Sequence, residues 1–297
     1  MDVRHWNDTV SDANDYEGWH LILMIWGDKY SDDYCNRLIH SAFKHSKTCR
    51  GAVILTDRCN RNIDARGTQV EIPNDFCSDA FKTGGLAVKI SMFEIDALPK
   101  GTACVYLDLD SLILGELDSV AALADDEKLW TIDVFPRRFN VRARQKALRT
   151  GGQKYRVGNS SAFVFRNKFA GNPTSKFREA HATGQLAADM HHDDKFIGWA
   201  CQQKLRGFSS DMVCYFRVEF CLPTMWLADL APIFRKTTRQ NIKIMIFAGP
   251  KTKLDLLLVL PDGAIITDHH SRVARWNDKQ TCGLKSRIIA EYSSFPL

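Results

Sequence analysis

One short apolar segment, Cys104 to Leu107, ends in two aspartates that are separated by a single residue. The segment has the length and composition of a buried strand. Because side chains alternate between the faces of a strand, Asp108 and Asp110 should lie on the same side, with Leu109 in the core. Two carboxylates held that close repel each other unless a cation or a proton lies between them. The spacing therefore predicts a divalent-metal site at the end of this strand.

Apolar strands and helical segments alternate along the first part of the chain. The elements predicted before the aspartates are strands at His20 to Trp26, Ala52 to Leu55 and Thr68 to Ile72, and helices at Tyr34 to Phe43 and Gly84 to Asp96. Such alternation is typical of an α/β fold with a mostly parallel, doubly wound sheet, in which ligands bind at the carboxyl ends of the strands. Thr56-Asp57 also follows a strand, so we predict a nucleotide-binding half at about residues 18–115.

The second half, residues 116–297, has a less regular pattern. The predicted strands are Leu129 to Val134, Ser161 to Phe165, Val213 to Val218 and Ile242 to Phe247, and the predicted helix is Phe196 to Leu205. The chain contains no internal repeat and no Pro/Gly/Ser-rich linker. We therefore predict a single domain over residues 1–297.

Composition restricts the cellular setting. The chain has no apolar block at its N-terminus and no run of about 20 apolar residues, so we expect a cytoplasmic protein. Nine cysteines occur without a CxxC pair, which favours reduced core cysteines over a zinc site or disulfides. The net charge of +5 does not by itself indicate nucleic acid.

The basic residues are unevenly distributed. Arg137 to Arg156 contains eight basic residues and no acidic one. Such a segment is most often a solvated face. The alternative is that it binds an anionic ligand or rests against a phospholipid surface.

The segment Tyr106 to Ile113, followed by Gly115 to Asp118, resembles the DxD segment of GT-A fold glycosyltransferases. The similarity is to the glycogenin-like family and the related bacterial galactosyltransferase-like enzymes. Further segments resemble that family's pattern in the expected order: Trp26-Gly27 and Thr56-Asp57 at the nucleoside, Lys89 near the donor phosphates, Gly158 to Phe165 at the sugar, His192-Asp193-Asp194 facing the transferred sugar, and Phe247 to Lys253 as the loop over the diphosphate.

The resemblance implies a GT-A fold with one Rossmann-like central sheet and an acceptor-side C-terminal half. It also implies a metal-dependent hexosyltransferase of surface-polysaccharide synthesis that uses a UDP-sugar, manganese or magnesium, and a saccharide or lipid-linked acceptor, with retention at the anomeric carbon. The implied metal ligands are Asp108 and Asp110. The implied nucleotide-binding residues are Trp26, Gly27, Thr56, Asp57, Lys89, Leu107 and Asp108; those at the diphosphate are Gly249, Lys251 and Lys253; those at the sugar are Asn159, Ser160 and Asp193, with Asp194 joining Asp193 and Asn159 in catalysis.

One position departs from the family. The family's third metal ligand is a histidine three residues before the loop glycine, and Ile246 occupies the matching position here. In one alternative, the metal is held by the two aspartates, diphosphate and water. In another, a residue elsewhere in the chain, such as His269 or His270, supplies the third protein ligand. A third alternative is a weak or inactive glycosyltransferase that acts as a binding protein.

The DxD sequence also allows a different enzyme. A haloacid-dehalogenase-type phosphatase would use Asp108 as nucleophile and Asp110 as acid, although that family places a small hydroxylated or β-branched residue at the position of Leu112. Structural roles remain open as well. Thr56-Asp57 is common in turns, and Asp193-Asp194 has the composition of a helix N-terminus.

Overall fold

The computed structural model describes residues 18–77, 87–133, 158–184, 193–201, 204–209, 211–235 and 241–295. The segment Arg137 to Arg156, His192 and Gly84-Gly85 lie outside the described residues. The described strands are β1 (Trp19–Ile25), β2 (Cys49–Thr56), β3 (Gly67–Glu71), β4 (Ala103–Leu107), β5 (Ser111–Ile113), β6 (Leu129–Asp133), β7 (Gly158–Arg166), β8 (Leu205–Gly207), β9 (Val213–Tyr215), β10 (Ile244–Ile246), β11 (Ala264–Thr267) and β12 (Val273–Trp276). The described α-helices are α1 (Asp32–Lys44), α2 (Asp118–Ala121), α3 (Pro173–Ala182), α4 (Asp193–Cys201), α5 (Phe216–Phe220), α6 (Met225–Arg235), α7 (Leu254–Leu258), α8 (Asp278–Thr281) and α9 (Leu284–Ser293).

Seven strands form one large sheet in the order β3-β2-β1-β4-β7-β6-β8. Four neighbouring pairs are parallel, whereas β7 runs antiparallel to β4 and β6. The mostly parallel α/β fold is therefore confirmed. Because β1, β2 and β4 point the same way, their carboxyl ends lie at one edge of the sheet. The reversed direction of β7 brings its first residues, Gly158 to Ser160, to that same edge.

A small second sheet begins just after the end of β4. It has the order β5-β10-β9, with β10 antiparallel to β5 and parallel to β9. Only three residues separate β4 from β5, and these are Asp108, Leu109 and Asp110. The DxD segment is therefore the connection between the two sheets.

Apolar side chains cover both faces of the large sheet. One core cluster joins β1, β2 and β4 to helix α1, whose buried stripe includes Cys35, Leu38, Ile39 and Ala42. The other cluster contains side chains of α3, α4 and the 3₁₀ helix Ala87–Phe93. A third cluster fills the space between the small sheet and the C-terminal elements around Trp276. Burial of these side chains fixes the sheet edge where the polar residues meet.

Three sequence predictions differ from the structure. The described part of the predicted helix before the aspartates is 3₁₀, because the Ser91 and Thr174 hydroxyls bond the carbonyls of Val88 and Ile90 in place of helical amides. The predicted strand Val213 to Val218 ends at Tyr215 and continues as α5, in which Phe216 and Phe220 stack one turn apart.

The third difference concerns the predicted helix Phe196 to Leu205. Helix α4 ends at Cys201, and Leu205 instead opens strand β8, which pairs with Leu129 of β6. Two further observations concern the cysteines and the helices. All nine cysteines are free thiols. None of the described helices has the length and apolar character to cross a membrane.

Candidate active site

The turn Asp108-Leu109-Asp110 is fixed on both sides by backbone hydrogen bonds. The Asp108 amide donates to the Ser161 carbonyl of β7 at 2.9 Å, and the Asp110 carbonyl accepts from the Phe247 amide at 3.0 Å. Leu109 is 5% exposed and packs in the first core cluster, as predicted. Hydrogen bonds to β7 and to the residue after β10 therefore hold the backbone that carries the two carboxylates.

Lys89 connects two of the predicted motifs. Its Nζ lies 2.7 Å from Oδ1 and 2.9 Å from Oδ2 of Asp108, and 3.7 Å from Oδ2 of Asp193. The Tyr106 hydroxyl donates a further hydrogen bond to Asp108 Oδ1 at 2.5 Å. Burial opposes the charge on Lys89, but the Asp108 and Asp193 carboxylates raise the pKa of Lys89 well above its usual value. The ammonium group is therefore a fixed cation between two carboxylates.

Asp110 is left with an unsatisfied oxygen. Its Oδ1 is buried and accepts no hydrogen bond from the described residues. Burial first, and then the neighbouring Asp108, raise the pKa of Asp110. A buried carboxylate oxygen without a donor costs free energy unless a proton or a cation occupies that position. Carboxylate oxygens are the ligands that manganese and magnesium prefer, so the residues fit a divalent cation held through Asp110 with help from Asp108.

The first residues of β7 bind the two acids at the start of α4. The Ser160 hydroxyl donates to Asp193 Oδ2 at 2.5 Å, and the Ser160 amide donates to Asp194 Oδ1 at 2.6 Å. Asn159 lies beside them, and its carbonyl accepts from the Thr131 hydroxyl. Both acids occupy the helix N-terminus, which is the structural role considered above. Lys89 also links Asp193 to Asp108, so Asp193 can stabilise the helix N-terminus and belong to the candidate site at the same time.

The ends of β1 and β2 are joined by a buried arginine. Arg61 donates from Nη2 to Asp57 Oδ1 at 3.0 Å and to the Gly27 carbonyl at 2.8 Å, and from Nε to the Thr56 hydroxyl at 2.9 Å. Asp57 Oδ2 accepts from the Gly27 amide at 3.0 Å. Thr56 is 0% exposed, so its side chain orients Arg61, while Asp57 stays partly accessible. Trp26 packs half-buried against the second core cluster.

The glycine-containing loop lies next to the aspartates. Gly249 has φ +116°, and a Cβ there would lie 3.0 Å from the Thr252 hydroxyl oxygen, so only glycine fits this turn without strain. Thr252 is buried and donates to the Ala248 carbonyl at 3.0 Å, whereas Lys251 is exposed and Lys253 half-buried. The loop thereby presents its two lysines rather than the threonine between them.

Besides Arg61, four further side chains around the site were not identified from the sequence: Lys29, Tyr30, Tyr215 and Arg217. Tyr30 is half-buried, and burial and then the Asp110 and Asp108 carboxylates raise its pKa. Lys29 Nζ and Lys253 Nζ lie 5.0 and 5.6 Å from the centre of the Tyr30 ring. Tyr215 lies under the Arg217 guanidinium at 5.1 Å, and burial raises its pKa with smaller contributions from the site carboxylates. Of these four side chains, only Tyr30 has a sequence signal that could have identified it, because it directly follows the turn after β1.

The two histidines considered as a third metal ligand have other neighbours. His269 and His270 are exposed, and Arg217 Nη1 lies 3.0 Å from His269 Nδ1. Among the described residues, no three His, Cys, Asp or Glu side chains are grouped so that they could hold a metal ion. Ile246 is 0% exposed and packs in the core. A metal at Asp110 would therefore depend on two protein carboxylates.

No protein-family model and no curated protein sequence matches the chain. Solved structures do. The bifunctional glycosyltransferase WbbM superimposes with a TM-score of 0.54 at 11% identity over 96% of this chain and 53% of its own chain. The chain has the fold of GT-A glycosyltransferases.

A second solved structure with this fold is the galactosyltransferase LgtC in complex with donor and acceptor sugar analogues. It superimposes with a TM-score of 0.50 at 15% identity over 78% of this chain and 88% of its own. The chain spans about half the length of WbbM. The observed fold agrees with the GT-A fold that the sequence resemblance implies.

Proposed function

We propose that the chain is a glycosyltransferase that moves a sugar from a nucleoside diphosphate, with a UDP-sugar as the expected donor, to a hydroxyl of a saccharide or lipid-linked acceptor. The observation that carries the proposal is the ion-paired series Asp193, Lys89 and Asp108, which ends beside the unbonded oxygen of Asp110. The GT-A fold supports it, as does the LgtC structure with its donor and acceptor sugar analogues.

The charges of the site suit a departing diphosphate. Manganese or magnesium, held by Asp110 and Asp108, would supply positive charge to the diphosphate oxygens. Lys253 and Lys251 lie on the loop that follows the backbone contact with Asp110 and would balance the remaining charge. Lys89 lies between Asp108 and Asp193 and holds both carboxylates in place, so that neither must reorganise during the reaction.

The donor sugar would lie between β7 and the start of α4. Ser160 holds Asp193 and Asp194 in place. Asn159 Oδ1 accepts from the Ser161 amide at 3.1 Å, so the side-chain NH2 group is what Asn159 would offer to the sugar. Fixed hydrogen-bonding groups of this kind catalyse mainly by orienting the reacting centre. Asp57 and the ends of β1 and β2 would hold the nucleoside, with Arg61 and Thr56 as the support beneath it.

The finer assignments belong to the same proposal. The resemblance predicts a hexosyltransferase with retention at the anomeric carbon and a role in surface-polysaccharide synthesis. We expect action in the cytoplasm or at the inner face of the membrane, with Arg137 to Arg156 as the segment that would meet an anionic acceptor or lipid headgroups.

Calorimetric titration of the folded protein with UDP, GDP and uridine, each with manganese and with EDTA, tests the proposal. We expect UDP to bind more tightly with manganese, and Asp110→Asn to weaken that binding by about 30-fold, which corresponds to roughly 2 kcal/mol. Asp229→Asn is the matched control, because Asp229 makes an exposed ion pair with Arg275 away from the site. It should leave UDP affinity unchanged.

Two results would count against the proposal. Folded protein that binds no nucleoside diphosphate with or without metal contradicts it as a whole. Asp110→Asn protein that retains full manganese-dependent binding contradicts the assigned site. The burial of Ile246 at the family's histidine position favours one other outcome, a binding protein, which would bind UDP and yet release no UDP from any UDP-sugar in the presence of acceptors.

A further inference from the structure

Helix α7 begins directly after the loop that carries Lys251 and Lys253. Its sequence, Leu-Asp-Leu-Leu-Leu, contains one polar residue, Asp255. Leu254 and Leu257 are buried in the third core cluster. Asp255 accepts a hydrogen bond from the Tyr34 hydroxyl of α1 and another, at 3.0 Å, from the Tyr292 hydroxyl of α9. The carboxylate therefore ties α7 to helices from both ends of the chain.

The two tyrosines are themselves held in place. The guanidinium carbon of Arg37 lies 4.9 Å from the centre of the Tyr34 ring and 4.4 Å from that of the Tyr292 ring, and Arg37 is 4% exposed. Burial, and then the Asp255 carboxylate, raise the pKa of Tyr34. Tyr34 therefore stays protonated and remains a donor to Asp255 at any physiological pH. We call Asp255, Tyr34 and Tyr292 the Asp255 clasp.

The clasp borders the donor side of the candidate site. Lys253 immediately precedes α7, and its Nζ lies 5.6 Å from the centre of the Tyr30 ring. The Tyr30 ring in turn packs edge-on against Tyr34, with 5.1 Å between the ring centres. Tyr34 thus contacts both Asp255 and Tyr30. A shift of α7 away from Tyr34 would carry Lys253 away from Tyr30 and from the aspartates beyond it.

We propose that Asp255 is a positioning residue for donor binding, which acts by holding Lys253 where a diphosphate would lie. The inference rests on the proposed function, because it assigns the loop lysine to the diphosphate of a nucleotide donor. A loop that is already ordered loses little conformational freedom when ligand binds, so the clasp raises affinity without touching the ligand. The effect is specific to ligands with phosphates. Uridine, which has none, gains nothing from Lys253.

Calorimetric titration of Asp255→Asn, Tyr34→Phe and Tyr292→Phe with UDP and with uridine tests the clasp, with manganese present throughout. The phenylalanine variants keep the ring packing and remove one hydrogen bond each. We expect UDP affinity to fall about threefold in each tyrosine variant, which loses one hydrogen bond, and about tenfold in Asp255→Asn, in which one tyrosine loses its acceptor oxygen and the other bond loses the charge of the carboxylate. Uridine affinity should stay within twofold of wild type in all three. A merely structural defect would weaken both ligands together.

A double-mutant cycle with Lys253→Gln identifies the route of the effect. If Asp255 acts through Lys253, adding Asp255→Asn to the Lys253→Gln variant should change UDP affinity by less than twofold. An equal loss for UDP and uridine, or a full Asp255→Asn effect in the Lys253→Gln background, overturns the inference while the proposed function stands. Wild-type protein that binds no UDP overturns both. Should Asp255→Asn not fold, the Tyr34→Phe cycle gives the same answer.

Discussion

Replacement of Lys89 by methionine tests the electrostatics of the site directly. Lys89 Nζ lies within 3 Å of both Asp108 oxygens and 3.7 Å from Asp193, and the side chains of Lys89 and Asp108 are only 14% and 18% exposed. Methionine keeps the length of the side chain and removes the charge. Loss of one partner from a buried pair costs roughly 3–5 kcal/mol because the other charge remains buried. The residual exposure favours the lower value, about 3 kcal/mol.

The loss should depend on pH and on metal. Without Lys89 the buried carboxylates of Asp108 and Asp193 repel each other, and a bound proton or cation would relieve that repulsion. Folded protein then binds more protons than unfolded protein, and the penalty shrinks as pH falls. We expect about 3 kcal/mol at pH 7.5 in EDTA, and clearly less at pH 5 or with manganese present. Urea unfolding monitored by tryptophan fluorescence measures each value.

Lys128→Met is the matched control for this measurement. Lys128 Nζ lies 3.0 Å from Asp125, but the two side chains are 40% and 35% exposed. Exposed pairs contribute between zero and about 1 kcal/mol, so we expect a loss near 0.5 kcal/mol or less that does not respond to manganese. A Lys89→Met loss below about 1 kcal/mol at pH 7.5, or one of equal size at pH 5, would refute the reasoning.

Two further predictions concern acids with opposite pKa shifts. Asp118 accepts hydrogen bonds from Trp19 Nε1, the Ser46 and Thr48 hydroxyls and the Lys47 amide, which hold its pKa below the usual value against the effect of burial. Asp118→Ala should therefore lower the free energy of unfolding by about 2–3 kcal/mol at pH 7, and by less as pH falls below about 4. The variant should bind UDP with unchanged affinity. Weakened UDP binding would show a role of Asp118 in the site. Burial and then Asp193 raise the pKa of Asp194 to about 6, so wild-type stability should fall as pH rises from about 4 to about 6. Asp194→Asn should reduce that slope in urea unfolding, while the raised pKa of Asp110 maintains the rest of it. An unchanged slope would contradict the shift.

Much of the site follows from local sequence pattern. Short apolar runs ending in Thr56-Asp57 and Asp108-Leu109-Asp110 predict parallel strand ends, and those ends meet because parallel strands share an edge. The residues at the start of β7 were also expected in the site. The antiparallel direction that takes them there has no signal in the strand itself, since its side chains alternate in the same way in either direction.

The remaining parts depend on contacts between distant segments. Arg61 lies in a loop without any motif, and its role appears only when β1 and β2 are side by side. The turn after β1 likewise brings Tyr30 to the aspartates, and the small sheet brings Tyr215 there. The apolar run at Val213 to Val218 could form a strand or a helix, and packing of Phe216 beside Phe220 and Trp276 decides for a helix after Tyr215. Such choices depend on tertiary packing rather than on propensity.

The hydrogen bond from the Phe247 amide to the Asp110 carbonyl has a practical consequence for shortening the chain. Phe247 directly follows β10, and β10 pairs with β5 immediately after Asp110, although 130 residues lie between Ile113 at the end of β5 and Ile244 at the start of β10. A fragment that ends before β10 would keep both aspartates and every strand of the large sheet. It would nevertheless lose the support of β5, so the two carboxylates should no longer be held at a fixed spacing. Such a fragment would therefore contain both proposed metal ligands without the fixed spacing that the proposed metal site needs.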